Sequence, residues 1–258
     1  MDNVGRIIKY VLRDILRSRI VLAYGFFMLA ASFGLFLLGG DASKGLVGLL
    51  SLVILVVPLL CLVFATIHFY NSYEFIELLA AQPIRRRNIL AGQYCGVAGA
   101  LTTALLAGIA PPVLLYAPSP SGFTLLAIGV VFTWLFSALA FLGAVTTRDK
   151  AKGVGLALLI WFYFALIHDG VMLYLLFAFE DYPLEKASMA MIALNPIGMG
   201  RVVVLLQMDI SAMMGYTGAL MKEMLGTATG ITGASAVLIL WTVLPLALAN
   251  RLFRRKDL

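Results

Sequence analysis

Charge is what this chain has least of. Only 12% of its 258 residues are Asp, Glu, Lys or Arg, about half the share found in a soluble domain, so no water-facing domain of useful size fits within it. Cysteine and histidine are as sparse, at two each. Cys61, Cys95, His68 and His168 are too few and too scattered for a disulfide framework or for zinc or haem spacing, and two thiols inside apolar runs read as small core hydrophobes. The patterns His-Glu-x-x-His and Gly-x-Ser-x-Gly are both absent, which disfavours an intramembrane enzyme. No glycine-rich loop ends in Gly-Lys-Ser or Gly-Lys-Thr, so the chain cannot cradle a nucleoside triphosphate by that route.

Apolar sequence fills the space that charge leaves. The chain is 62% hydrophobic, with a mean hydropathy of +1.00. A bilayer core about 30 Å thick takes about 20 apolar helical residues to cross, and six segments reach that length. They are Ile20 to Gly39, Leu46 to Tyr70, Ile89 to Leu115, Phe123 to Val145, Gly153 to Phe179 and Ile231 to Leu248. These runs lack the alternation of a membrane barrel, so the expected fold is an all-α integral membrane protein with a single transmembrane domain over 1–258. A seventh span through Ala187 to Gln207 would have to carry Asn195, Pro196 and Arg201, and is rejected. Pro111 and Pro112 are expected to break the third span near one end.

The cations give the orientation. Arg6, Lys9, Arg13, Arg17, Arg19, Arg85 to Arg87, Arg148, Lys150, Lys152, Arg251, Arg254, Arg255 and Lys256 fall on one side, leaving Lys44, Lys186, Arg201 and Lys222 for the other. The positive-inside rule then makes both termini cytoplasmic, in a multi-pass protein of the cell inner membrane. The net charge of +6 marks the inner-leaflet lipid surface, and gives no reason to expect nucleic acid as a partner. Before the first span, Val4, Ile7, Ile8, Val11, Leu12, Ile15 and Leu16 recur at helical spacing opposite Arg6, Lys9, Arg13, Asp14 and Arg17. This predicts an amphipathic helix over 4–19, lying flat on the inner leaflet and turning as an elbow into the first span.

Between the second and third spans lies a polar island, Asn71 to Arg87, reading NSYEFIELLAAQPIRRR. Asn71 with Glu74 three residues on has the form of a helix N-cap with a reciprocal acidic partner, and Pro83 stops the segment. The expectation is a short helix within 71–86. Its apolar Phe75, Ile76, Leu78 and Leu79 are too many for a solvated loop and need lipid headgroups or another protein to pack on.

Those residues carry a resemblance. Glu74, Leu78, Leu79, Pro83, Ile84, Arg85, Ile89, Leu90 and Gly92 resemble the coupling-helix segment of type-2 ABC exporter permeases. The elbow helix, the six spans and the long segment before the last span extend the likeness over the whole chain. Within that family the chain length and the motif Asn195, Pro196 to Arg201 are most like the permeases of nitrous-oxide-reductase maturation. Ile76 and Glu77 stand where the family has Gly-Thr, and Gln93 where it commonly has Lys. The resemblance implies a non-enzymatic subunit that binds no cofactor. ATP and Mg would sit on a separate cytoplasmic ABC ATPase, whose groove would take Glu74, Phe75, Glu77, Leu78, Leu79, Pro83 and Arg85. The loop Thr146 to Lys152 would be a second contact.

Three further groups of residues are candidates. His168 and Asp169 lie beyond the middle of the fifth span, where an ionisable side chain is expensive. They read either as a translocation-path pair or as a polar break in a kinked helix, and Asp169 needs a partner in both cases. The segment 180–230, broken by Pro183 and Pro196, is expected to form amphipathic or re-entrant outer helices. Asn195, Pro196, Arg201, Met213 and Met214 in it are candidate contacts for an extracytoplasmic protein. It holds eight of the chain's 11 methionines: Met189, Met191, Met199, Met208, Met213, Met214, Met221 and Met224. Thioethers suit Cu(I), but no His or Cys supports a metal there and methionine also fills apolar surfaces, which is the favoured reading. Gly34, Gly39, Gly96, Gly99 and Gly108 offer small faces for close packing, and six spans point to a homodimer with a second permease copy. A secondary transporter or channel working alone is the competing function. It would have to rely on His168 and Asp169.

Overall fold

The computed structural model describes residues 2–179, 185–208 and 215–255, with the side chains of 2–3, 185–187 and 215–229 outside that description. All regular structure among the described residues is helical. In chain order the helices are α1 (Asp2–Leu16), α2 (Arg19–Gly39), α3 (Ala42–Asn71), α4 (Tyr73–Ala80), α5 (Arg86–Tyr116), α6 (Pro120–Thr146), α7 (Lys150–Phe162), a π-helical turn (Tyr163–Ile167), α8 (His168–Ala178), α9 (Glu185–Leu194), α10 (Pro196–Met208) and α11 (Gly215–Arg255). Six stretches are long and apolar enough to cross a membrane: α2, α3, α5, α6, Lys150–Ala178 and Gly230–Arg255. These are the six spans expected from hydropathy. Two boundaries differ. Pro111 and Pro112 stay inside an unbroken α5, because an unwound turn in hydrocarbon would strand backbone groups that a proline-bearing helix leaves mostly paired. The last helix runs back without a break to Gly215, well before the apolar stretch begins.

Local chemistry sets the turns. Gly40 closes α2 in the left-handed region at φ 68°, which a glycine adopts without steric cost. Ser119 caps α6, accepting from the Gly122 amide at 3.3 Å with Pro120 at the first helical position. Asp149 caps α7, accepting from the amides of Ala151 (2.7 Å) and Lys152 (3.2 Å). Asn71 does not cap α4: it is the last residue of α3, and its amide oxygen accepts a bond from Lys150 Nζ at 2.8 Å. The preceding span is simply longer than its apolar content indicates, so the start of α4 falls to Ser72, which makes no side-chain cap.

α6 is the centre of the bundle, packed by α3, α5, α10 and α11. At one end an aromatic knot joins four helices, with Phe69 of α3 edge-on to Phe141 of α6 (5.5 Å) and Phe253 of α11 (6.5 Å), and Tyr94 of α5 edge-on to Phe141 (5.8 Å). That end also carries α4, the α6–α7 turn and the arginines of α11, and is called the basic end below.

α1 does not lie free on a leaflet. Ile7, Val11 and Ile15 are buried, and Ile7, Val11 and Leu12 pack over Gly92, Gly96 and Gly99 of α5. A Cβ on Gly92 would meet Ile7 at 2.7 Å, and one on Gly96 would meet Val11 at 2.6 Å. The glycines Gly96, Gly99 and Gly108 are therefore spent within the chain, while Gly34 faces open space. Substitution by alanine separates the two kinds. At Gly108 a Cβ would stand 2.6 Å from Met28 Cβ and 2.9 Å from the Gly25 carbonyl oxygen, so α2 must move. Gly108→Ala is expected to lose about 1–3 kcal/mol to overpacking. Gly34→Ala, which relieves the cost of glycine in a helix, is expected to gain about 0.5–1 kcal/mol. Thermal unfolding of the detergent-purified protein reads both signs.

Candidate coupling surface and membrane polar cluster

The basic end presents α4 as a short projecting helix. Ile76 and Leu79 point into the bundle, Leu79 being 9% exposed, whereas Leu78 is 67% exposed beside the exposed Glu74 and Glu77. These positions follow helical spacing, so the leucine pair divides its work: one anchors and one is presented. Phe75 is half-buried and stacks on Tyr10 of α1 at 5.1 Å, which sets the amphipathic helix against α4. Pro83 and Arg85 lie exposed in the link to α5. The seven residues singled out in the sequence thus include one inward anchor, Leu79, one interhelical contact, Phe75, and five that remain on the surface.

A second set of contacts ties the foot of α3, from which α4 follows, to the α6–α7 turn. The Tyr70 hydroxyl, at the foot of α3, donates to the Thr147 carbonyl at 3.2 Å and pairs with the Thr147 hydroxyl, while Lys150 bonds Asn71. Gly153 of α7 packs against the Tyr70 ring, where any Cβ would stand 2.5 Å from Cε2. Thr146 to Lys152 and α4 therefore hang from one clamp.

Near the middle of the bundle, α9 and α10 form a hairpin with Asn195 at its tip. α10 has 13 residues and is about 20 Å long, too short to cross a core of about 30 Å. Its far end meets the start of α6, where Ser121 donates to the Gln207 carbonyl at 3.1 Å, and Gly200 sits on Ile128 and the Phe132 ring, about two to three turns further along α6. The hairpin consequently enters from the end opposite the basic one and turns back about half-way, as a re-entrant helix pair; the rejected seventh span is not formed. Met213 and Met214 lie outside the described residues, as do Pro183 and the side chains of Met221 and Met224.

The tip is held by polar bonds. The Asn195 amide donates to the Phe164 carbonyl (3.1 Å) in the π-helical turn and to Asp169 Oδ1 (3.2 Å), and its oxygen caps α10 by accepting from the Ile197 amide (3.0 Å). Arg201 Nη1 donates to Asp169 Oδ2 at 3.0 Å. The Trp241 indole of α11 donates to the Ala193 carbonyl at 3.0 Å. His168 is buried, with Nδ1 3.9 Å from Asp169 and no hydrogen bond there among the described residues. Asp169 therefore has the partner its depth demands, and that partner comes from the other candidate group. Asn195 and Pro196 are buried in the same cluster, so they do not present themselves to an outer protein. The break in the fifth span is a π-helical turn, for which the local sequence carries no proline or glycine signal. Among the described residues no group of His, Cys, Asp and Glu is placed to hold a metal.

No family model matches the chain. It is 28% identical over 279 aligned positions to the probable ABC transporter permease protein NosY of Stutzerimonas stutzeri, covering 99% of each chain. It is 29% identical over 280 positions, covering the whole of both, to the protein of the same name from Pseudomonas aeruginosa. From end to end, this chain is similar to NosY permeases. The six apolar helices fit that similarity and support a multi-pass membrane protein.

Proposed function

We propose that this NosY-like chain is the membrane-spanning subunit of an ABC-type complex, in which a separate cytoplasmic ATPase binds ATP and Mg and drives the spans through α4. The observation that carries the reading is Leu78, a large apolar side chain left open on a short helix whose neighbours Ile76 and Leu79 are anchored. Solvent exposure of that leucine beside Glu74 and Glu77 is costly unless a groove receives it. The clamp from Tyr70 to Thr147 supports a two-point contact, with α4 and the turn Thr147 to Asp149 moving together. The second copy of the permease completes the unit, and an outer-face maturation partner, as in copper-enzyme assembly, is a cargo-side role for the opposite end. A stand-alone ion-coupled transporter is the weaker reading, because Asp169 is already neutralised by Arg201.

The orientation is tested on a background with Cys61 and Cys95 replaced by alanine. Cysteines at the exposed positions Ser43 and Pro118 are expected to react with a membrane-impermeant thiol reagent in sealed cells, and cysteines at Arg87 and Arg148 only after permeabilisation. Ser188 is buried and unsuitable as a labelling position. Labelling at Arg87 from outside would reverse the topology and remove α4 from the cytoplasm. The assembly itself is read by co-purification of the ATPase with the tagged permease.

A further inference from the structure

The contacts that hold the α9–α10 hairpin are of two kinds. The bonds from Asn195 to Phe164 and from Trp241 to Ala193, and the seat of Gly200 on Phe132, involve neutral groups that are wholly or largely covered. The Asp169–Arg201 pair is different. It is charged, it lies close to the level at which Gly200 meets the middle of α6, and its two side chains remain 35% and 42% exposed. A half-open ion pair facing hydrocarbon at that depth is strongly disfavoured, whereas one facing water is not. Gly170, the next residue, is also exposed, and a Cβ there meets nothing within 4 Å.

We propose that the Asp169–Arg201 pair is a water-facing clasp which holds the re-entrant hairpin against the fifth span at its π-helical turn, and which opens to free α8 from α10. The π-turn supplies the movable part. Such a turn interrupts the regular ladder, and the Phe164 carbonyl within it takes its bond from Asn195 instead. With the clasp shut, Asn195 reaches both Phe164 and Asp169, so α8 and the hairpin tip move as one piece. With the clasp open, Arg201 and Asp169 exchange each other for water from the end opposite the basic one. His168 stays buried behind the pair and faces Tyr163 edge-on at 5.9 Å, which keeps the ring out of the water-facing side. Asp169 and Arg201 are positioning residues in this device, acting through the hairpin. The inference rests on the membrane orientation alone and not on the ATPase, so its test uses the permease by itself.

The probe is an impermeant methanethiosulfonate added to sealed cells that carry Gly170→Cys in the background lacking Cys61 and Cys95, with Ser43→Cys as the orientation control. Arg201→Gln, which removes the charge, is expected to raise the labelling rate at position 170 about tenfold or more, since breaking a partly covered pair shifts an equilibrium at least that far. Arg201→Lys keeps a cation and is expected to stay within about threefold of the parent, and so is the swap Asp169→Arg with Arg201→Asp. Labelling of Ser43 but of no position-170 variant would show the pair covered by lipid or by a second copy, and would overturn the clasp. Equal rates in the parent and Arg201→Gln would do the same, as would a swap that stays as fast as Arg201→Gln. Failure of the Ser43 control would instead strike the orientation on which the proposed function also depends. Each variant is checked for monodisperse elution, and Arg201→Lys carries the comparison should the swap fail to fold.

Discussion

Leu78→Asp is expected to abolish capture of the proposed ATPase by the permease while the six-span chain remains in the membrane. Leu78 is the large apolar group that α4 offers outward, and burying a leucine contributes about 1.5–3 kcal/mol. Aspartate forfeits that burial and adds a carboxylate whose desolvation is costly, for a combined loss of about 4 kcal/mol or a factor of about a thousand in affinity. Leu79→Asp would be a poorer test, although it stands next in sequence. Leu79 is 9% exposed and faces the bundle, so its replacement unseats α4 and confuses docking with folding. The measurement is a pull-down from solubilised membranes with permease insertion followed in parallel. Undiminished recovery of the ATPase with Leu78→Asp would place the contact elsewhere.

The spans were legible because a bilayer imposes a length and a polarity on each of them, and both are written locally in the sequence. The same holds for α4, whose two glutamates, two leucines and proline stop lie within one stretch of chain. What was not legible depends on groups distant in sequence. Asp169 and Arg201 are 32 residues apart, and reading each in its own segment gave one to a translocation path and the other to an outer partner, when they are partners of each other. The glycines of α5 looked available for a second copy because nothing in their spacing says that Ile7 and Val11 occupy them. An amphipathic helix with seven apolar residues on one face can rest on lipid or on a neighbouring helix, and its pattern is the same in both cases. The prolines of α5 misled for a related reason. Pro111 and Pro112 are breakers in water, but in hydrocarbon the alternative to a strained helix is worse.

Those contacts suggest how movement at α4 reaches the opposite end. α3 and α7 meet at Tyr70 and Gly153, α7 leads through the π-helical turn into α8, and α8 is tied to the re-entrant hairpin by Asp169. A displacement of α4 with the α6–α7 turn therefore acts on the base of the fifth span, and the π-turn is where that span can yield.

Gly153→Leu cuts this route at its base. The Tyr70 ring packs against Gly153 with its hydroxyl held at Thr147, so it cannot move away without giving up those bonds. A leucine there overpacks the contact by about 1–3 kcal/mol and pushes α7 off α3, while Leu78 and the outer face of α4 are untouched. The expected result is a complex that assembles normally and no longer transmits. The reporter is Tyr174→Cys, an exposed position on α8, labelled in reconstituted complex with and without a non-hydrolysable ATP analogue. In the parent the labelling rate is expected to change with nucleotide. In Gly153→Leu the ATPase is still recovered with the permease and the nucleotide-dependent difference disappears. If the difference persists, motion reaches α8 by another path, through α5 or α11; if the ATPase is lost as well, the α3–α7 contact serves assembly and not transmission.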